Sequence, residues 1–254
     1  MTALDRWRSE LAGWAIPDEI LAQAPEPPWG FPVEMFRAQP DAPDSPSRRL
    51  AAEALPDGGS VLDVGCGGGG AAMALVPPAG LVVGVDSAPD MLAAFAETAE
   101  AKGVAHRELE GAWPAVSADV PVADVVVCHH VFYNVADLPP FIDALTSHAR
   151  RRVVVEMTAT HPLTALAPLW RHFHGIDRPD GPTAALAREV LREAGIEPSI
   201  ETWSRPARHV DRDVYVRMNR RRLCLPVDAE PEVDRLMGDT ATLGRDVVTL
   251  WWNA

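Results

Sequence analysis

A glycine-rich turn carries the clearest chemical signal in the sequence. Residues 61–70 read Val-Leu-Asp-Val-Gly-Cys-Gly-Gly-Gly-Gly, so a strand-like segment leads into five glycines within six positions. Such a turn lets the backbone approach a ligand closely and tolerates positive φ angles. Asp86 lies 21 residues after Gly65, at the end of a second apolar segment. A carboxylate at that place can accept hydrogen bonds from both hydroxyl groups of a ribose.

The local pattern of this turn fits more than one class of cofactor. Gly65, Gly67 and Gly70 satisfy G-x-G-x-x-G, the dinucleotide fingerprint. The same turn also satisfies acid-x-G-x-G-x-G, beginning at Asp63 and ending at Gly69. The glycines alone therefore do not distinguish a nicotinamide or flavin site from a site for another nucleoside-bearing ligand.

Together, the turn and the segment after it resemble the first two motifs of class I S-adenosylmethionine-dependent methyltransferases. The matching stretches are Val-Leu-Asp-Val-Gly-Cys-Gly-Gly-Gly at 61–69 and Val-Val-Gly-Val-Asp-Ser-Ala-Pro-Asp-Met-Leu at 82–92. The resemblance covers residues 48–157 well and the C-terminal strand pair loosely. An acid two residues before the first glycine favours it over a nicotinamide enzyme, and no second nucleotide-binding half follows. It implies S-adenosyl-L-methionine as cofactor and S-adenosyl-L-homocysteine as product.

The resemblance also implies which residues bind the cofactor. Asp63 would orient the loop and the ligand's ammonium group, and Asp86 would bind the ribose. Many relatives carry an aspartate where this chain has Ala112, so backbone groups there would have to contact the adenine. Met91 and Trp113 would flank the adenine ring, although core packing explains them equally well. The expected cofactor-binding set is Asp63, Gly65, Cys66, Gly67, Gly69, Asp86, Ser87, Met91, Ala112, Trp113 and His129.

The loop after the fourth strand and the segment after the fifth are expected to face the methyl acceptor. Ligands of doubly wound sheets bind outside the carboxyl ends of the strands. Methyl transfer needs a base only when the nucleophile must lose a proton, and His130 or His161 could supply it. His172 and His174 form an H-x-H pair, but no compact ligand spacing completes a metal site, so no metal is predicted. The expected acceptor-binding residues are Tyr133, Asn134, Trp170 and His174.

Strand and helix patterns alternate from Ser60 onward and would position these residues. Strands are predicted at 61–64, 81–85, 104–109, 122–128, 153–157, 196–203 and 247–252, with helices between most of them. Ser87 and Asp137 are predicted as helix N-caps. The alternation predicts an α/β fold: a Rossmann-like, doubly wound, mostly parallel seven-stranded sheet with helices on both faces and an antiparallel final strand.

Two segments fall outside this alternation. Residues 1–57 are predicted to form an N-terminal helical lid or extension, because Leu4, Trp7, Leu11 and Trp14 recur at helical spacing. An aromatic loop is expected at 29–32 and a linker at 40–46. Residues 58–254 are predicted as the methyltransferase domain, with a small cap insertion at about 159–181.

Composition narrows the class of protein. The sequence has 47% hydrophobic residues, no run of 18 apolar residues and three scattered cysteines, which predicts a cytoplasmic globular protein without a membrane span. The net charge of −13 speaks against nucleic acid as a partner. Two basic clusters, at 150–152 and at 217–222, are interpreted as solvated helix ends paired with nearby acids. The oligomeric state stays open.

The sequence therefore favours an enzyme that transfers a methyl group to a small-molecule acceptor by in-line displacement. An RNA or protein methyltransferase of the same fold is the alternative, although Asn-Val-Ala-Asp at 134–137 stands where an Asn/Asp-Pro-Pro-aromatic motif would lie. A non-catalytic binding module that retains the fold is a further alternative. The intact glycines and Asp86 speak against that last interpretation.

Overall fold

A central sheet organises the computed structural model, which describes residues 1–29, 44–206, 211–238 and 245–254. Its strand order is β3-β2-β1-β4-β5-β7-β6. The strands are β1 (Ser60–Val64), β2 (Leu81–Asp86), β3 (Ala105–Glu110), β4 (Ala123–His129), β5 (Ala149–Thr158), β6 (Ser199–Arg205) and β7 (Arg245–Asn253).

The strand directions bring the carboxyl ends of six strands to one edge of this sheet. The first five strands pair in parallel, and β7 is antiparallel to both β5 and β6. Strand β6 therefore runs parallel to β5, and the carboxyl ends of β1–β6 meet the beginning of β7 at the same edge. The predicted mostly parallel seven-stranded sheet with an antiparallel final strand is confirmed.

Helices cover both faces of the sheet, as predicted. The helices are α1 (Ala3–Ala12), α2 (Asp18–Leu21), α3 (Pro46–Ala54), α4 (Gly70–Met73), α5 (Pro89–Lys102), α6 (Leu138–Ser147), α7 (Ala167–His174), α8 (Ala184–Glu193), α9 (Arg212–Arg222) and α10 (Glu230–Met237). Side chains of α1, α6 and α8 share one apolar core with the sheet, and those of α3, α4 and α5 share another. Near-continuous valine in β4 fits a strand buried on both faces.

Of the two predicted helix caps, Ser87 does not hold the N-cap position, and Asp137 holds it without a side-chain bond to the helix. Helix α5 begins after Ala88, and no side chain caps it. The carboxylate of Asp86 instead accepts the Ala88 N–H, and Pro89 at the first helical position has no N–H to satisfy. Asp137 does occupy the N-cap position of α6, but its carboxylate pairs with Arg8 rather than with the helix.

The N-terminal segment is tied closely to the sheet domain. Trp7 of α1 is fully buried in the main core, and its Nε1 donates to the carbonyl oxygen of Val135 at 2.8 Å. Trp14 donates to the carbonyl oxygen of Gly181 at 2.6 Å. Most of the expected aromatic loop at 29–32 and of the linker at 40–46 lies outside the described residues.

A small second core lies beyond β5. Leu169 and Trp170 of α7 pack there with apolar residues of α9 and α10, including Val216 and Val233. The buried Arg220 of α9 forms ion pairs with Glu26 and Glu230, so the predicted pairing with acids is confirmed for Arg220 and its predicted solvation is wrong. Among the described residues, no helix is both long enough and apolar enough to cross a bilayer.

We predict that Trp7→Ala lowers the free energy of unfolding by about 3–5 kcal/mol, because it empties a fully buried site. Trp7→Phe keeps most of the apolar volume but loses the hydrogen bond to Val135, so it should cost about half as much. Urea denaturation of the three proteins measures both values. A loss below about 1 kcal/mol for Trp7→Ala would show that α1 is not an integral part of the fold.

Candidate active site

The glycine turn joins β1 to α4 at the carboxyl edge of the sheet. Gly65, Gly67 and Gly69 have φ angles of 70°, 50° and 85°, which L-residues with a Cβ rarely adopt. A Cβ on Gly65 would lie 2.4 Å from a methyl group of Val131. A Cβ on Gly69 would lie 3.1 Å from Phe95. The turn therefore needs glycine at 65 and 69 because it packs closely against other residues of the same chain. Room for a ligand, the reason expected from the sequence, is not the only requirement.

Asp86 closes this turn from the neighbouring strand. One carboxylate oxygen accepts the Gly67 N–H at 2.9 Å, and the other accepts the Ala88 N–H at 3.0 Å. Each oxygen keeps a second lone pair for a further donor. Asp86 can therefore hold the loop and still accept two ligand hydroxyl groups, in agreement with its predicted role.

Asp63 lies beneath the turn, where it is almost completely buried. Its Oδ2 accepts the Ala72 N–H of α4 at 3.0 Å. Burial raises the pKa of Asp63 to about 7; the hydrogen bond from Ala72 opposes this rise, and the charge of Asp86 adds to it. Burial also raises the pKa of the Cys66 thiol, which therefore stays protonated.

The two histidines at the end of β4 have different surroundings. Burial lowers the pKa of His129 to about 4, so its ring is neutral near pH 7. Its Nε2 is buried and has no hydrogen-bond partner within the described part of the chain. His130 follows with a φ of 60°, an uncommon angle for a residue with a side chain. Its backbone N–H donates to the carbonyl oxygen of Glu156 at 2.7 Å, which holds this conformation.

The imidazole of His130 belongs to a hydrogen-bonded array. Its Nε2 lies 3.2 Å from Glu156 Oε1, and its Nδ1 lies 2.7 Å from the hydroxyl of Tyr133. The hydroxyl of Ser47, from α3, donates to the other oxygen of Glu156. Burial opposes ionisation of Glu156, but the hydrogen bonds from His130 and Ser47 prevail and hold its pKa well below the usual range. A buried carboxylate thus fixes the ring of His130.

His161 lies nearby as a neutral ring. It stacks on Trp14 with centroids 4.5 Å apart and meets Tyr133 edge-on at 5.8 Å. Burial lowers the pKa of His161 to about 4, and its Nδ1 accepts the Leu163 N–H at 3.3 Å. Its surroundings therefore disfavour the protonated form that a general base must adopt.

One cleft of about 1190 Å³ brings most of the predicted residues together. Asn134 is exposed at its wall, and Trp113 also donates to the carbonyl oxygen of Phe141 at 3.3 Å. Gly69 is not part of the lining, although the next residue, Gly70, is. The predicted residues that line the cleft are Asp63, Gly65, Cys66, Gly67, Asp86, Ser87, Met91, Ala112, Trp113, His129, His130, Tyr133, Asn134 and His161.

Two expected acceptor-binding residues do not line this cleft. Trp170 is buried in the second core, beneath the guanidinium of Arg178 at 4.0 Å. His174 donates from Nε2 to the carbonyl oxygen of Leu223 at 2.7 Å and so anchors α7 to the end of α9. The periodicity of an amphipathic helix explains both side chains, and neither lines the cleft in which an acceptor-binding role would place it.

Sequence reasoning missed Glu156, Ser47 and Arg205. Glu156 stands in an otherwise apolar strand, Val-Val-Val-Glu-Met at 153–157, and a lone acid in a buried strand is the signal that could have identified it. Ser47 carries no such signal, because it looks like an ordinary residue of a helix first turn. Arg205 lies at the end of β6, where its side chain approaches His130.

Comparisons with known proteins agree with this geometry. Residues 61–152 match a family model described as a methyltransferase domain. The matched stretch runs from β1 into β5 and includes the glycine turn and Asp86. The predicted S-adenosylmethionine-dependent methyltransferase is thereby confirmed, with S-adenosyl-L-methionine as its cofactor.

Solved structures share the fold of this methyltransferase at low sequence identity. The YcgJ protein of Bacillus subtilis is 16% identical with a TM-score of 0.55, covering 82% of this chain and 97% of its own. Magnesium protoporphyrin IX methyltransferase of Synechocystis, with bound S-adenosylhomocysteine, is 18% identical with a TM-score of 0.51, covering 81% and 78% respectively. No curated protein matches the sequence.

We predict that Asp63 makes stability depend on pH. Between about pH 4 and pH 7 the folded methyltransferase keeps a proton on Asp63 that the unfolded chain, with a pKa near 3.8, has released. The contribution of Asp63 to stability therefore falls as the pH rises through this window.

Asp63→Asn cannot titrate but can still accept the Ala72 N–H. Relative to this variant, the parent should lose about 2–4 kcal/mol of unfolding free energy between pH 4 and pH 8. Urea denaturation of both proteins at several pH values measures the difference. Parallel profiles would contradict the raised pKa.

Proposed function

We propose that this methyltransferase transfers the methyl group of S-adenosylmethionine to a small-molecule acceptor, with His130 as general base. One observation carries the proposal. A single cleft joins the glycine turn and Asp86 on one side to the His130–Glu156–Tyr133 array on the other. The cofactor, when bound, supplies a methyl carbon activated by its sulfonium.

The residues at the glycine turn suit that cofactor. Asp86 would accept hydrogen bonds from its ribose hydroxyls, through the lone pairs left by Gly67 and Ala88. The carboxylate of Asp86 would favour the positive charges of the sulfonium and ammonium groups. The buried, unpartnered Nε2 of His129 at the cleft wall offers a further polar contact.

The walls of the cleft support a small acceptor. Leu11 and Trp14 from the N-terminal segment and Pro162 and Leu163 from the segment after β5 line it together with the sheet edge. In this proposal residues 1–57 act as a lid and residues 159–181 as a cap over the acceptor. Such a covered cleft admits a free metabolite more readily than a folded macromolecule.

His130 has the arrangement that a base requires. When its Nε2–H donates to Glu156, its Nδ1 is left to accept a proton from the Tyr133 hydroxyl. Burial raises the pKa of Tyr133, so its hydroxyl is protonated before the reaction. The hydroxyl can then give its proton to His130 while it takes a proton from the acceptor. The anionic Glu156 then stabilises the imidazolium that forms. Alignment of the acceptor supplies the rest of the rate enhancement.

We predict that Asp86→Asn weakens binding of S-adenosyl-L-homocysteine by about 10- to 100-fold, the value of one or two hydrogen bonds to a charged acceptor. Isothermal titration calorimetry gives the affinity, and Asp143→Asn, an exposed acid of α6, is the matched control. The thermal midpoint without ligand reports whether the loop itself has been damaged. Unchanged affinity in Asp86→Asn would overturn the ribose assignment.

Transfer from radiolabelled S-adenosylmethionine tests the class of acceptor. We expect label in components of a small-molecule extract, and none in total RNA or protein. His130→Gln should lower the initial rate by about 100-fold or more without changing the affinity for S-adenosylhomocysteine. Label in RNA or protein would overturn the small-molecule proposal, and an unchanged rate in His130→Gln would overturn the base.

A further inference from the structure

We infer, on the basis of the proposed methyl transfer, that the acceptor is a small-molecule anion whose carboxylate or phosphate group binds Arg205, Arg222 and Arg245. These three side chains line the cleft beside His130 and Tyr133 and are called the arginine cluster below. Arginine is well suited to such groups, because its planar guanidinium offers paired donors to a carboxylate or phosphate.

The sheet topology brings two of these arginines together. Arg205 is the last residue of β6 and Arg245 is the first residue of β7, and the two are direct partners in the antiparallel register. Because β6 runs parallel to β5, both lie at the edge of the sheet that carries the carboxyl ends. Like charges directly opposite each other destabilise a strand pair. The fold alone therefore gains nothing from this pairing.

The third arginine adds to the same concentration of positive charge. Arg222 is the last residue of α9 and is largely buried at the cleft. Burial, together with the positive charge of Arg245, lowers the pKa of Arg222 to about 10. It remains a cation near pH 7, held close to another cation in a place where water is scarce. A bound anion would offset the repulsion between the two cations.

Most of the acids that line the cleft are engaged away from Arg205 and Arg245. Asp63, Asp86 and Asp90 belong to the glycine turn and the start of α5. Glu156 is the acid beside the cluster, and its carboxylate interacts with His130 and Ser47. In the described segments of the chain, neither Arg205 nor Arg245 forms an ion pair with a carboxylate.

The two halves of the cleft thus have opposite electrostatic character. The half at the glycine turn is acidic and suits a cationic cofactor, whereas the half at the arginine cluster is basic. Arg205 Nη1 lies 3.2 Å from His130 Nε2, so an anion bound there would be next to the proposed base. Such an anchor would position the rest of the acceptor for methyl transfer.

Binding of simple probes to the protein saturated with S-adenosylhomocysteine tests the inference. The probes are benzoate, phenyl phosphate and benzamide, the last being a neutral analogue of benzoate. We expect at least one of the two anions to bind about 10-fold or more tightly than benzamide, the value of a charge-assisted hydrogen bond. Comparing the affinity of benzoate with that of phenyl phosphate distinguishes a carboxylate acceptor from a phosphate acceptor.

The double variant R205Q/R245Q should lose this preference for anions, whereas R171Q should retain it. Arg171 is an exposed residue of α7 that pairs with Asp177 and lies away from the cleft. All variants must keep the parent's affinity for S-adenosylhomocysteine; if the double variant does not, R245Q alone supplies the measurement.

Three results would overturn the anionic acceptor. They are failure of both anions to bind at millimolar concentrations, equal binding of benzamide, and an anion preference that persists without the two arginines. Displacement of the anion by a short RNA oligonucleotide would overturn the small-molecule class. Failure of the methyltransferase proposal looks different, because the parent would then not bind S-adenosylhomocysteine.

Discussion

The buried carboxylate of Glu156 is the interaction on which the acceptor side of the site depends. A charge placed in the interior is costly unless hydrogen bonds and an opposite charge compensate it. Ser47 and His130 provide that compensation from α3 and from the loop after β4. The backbone of Glu156 also holds the N–H of His130, whose φ of 60° would otherwise be unfavourable. One residue of β5 therefore positions the proposed base through both its side chain and its backbone.

The direction of the strands explains why donor and acceptor groups meet. Parallel strands place Val64, Asp86 and His129 at one edge, where the turns after them converge. The antiparallel return of β7 brings Arg245 to the same edge. The sheet thus assembles acids around the glycine turn and arginines around the acceptor side. This separation of charge suits a cationic methyl donor and, by inference, an anionic acceptor.

The sequence predicted the fold and the grouping of most donor-side residues in one cleft well, for a physical reason. Strand β1, its glycine turn and Asp86 are contiguous or closely spaced, so their relation follows from local patterns and a resemblance. Buried valines and helix spacing likewise placed the sheet and α1. Local patterns failed where tertiary structure determines which residues come together. Glu156, Ser47 and Arg245 are distant in sequence and meet only through strand order, whereas Trp170 and His174 are aromatic but serve a second core.

A crystal structure of the complex with S-adenosyl-L-homocysteine tests the central claim most directly. Both ribose hydroxyls should lie within hydrogen-bond distance of Asp86, with the amino-acid moiety over the glycine turn. The sulfur should face the part of the cleft that contains His130 and Tyr133. A ligand bound elsewhere, or one whose sulfur points away from His130, would contradict the account.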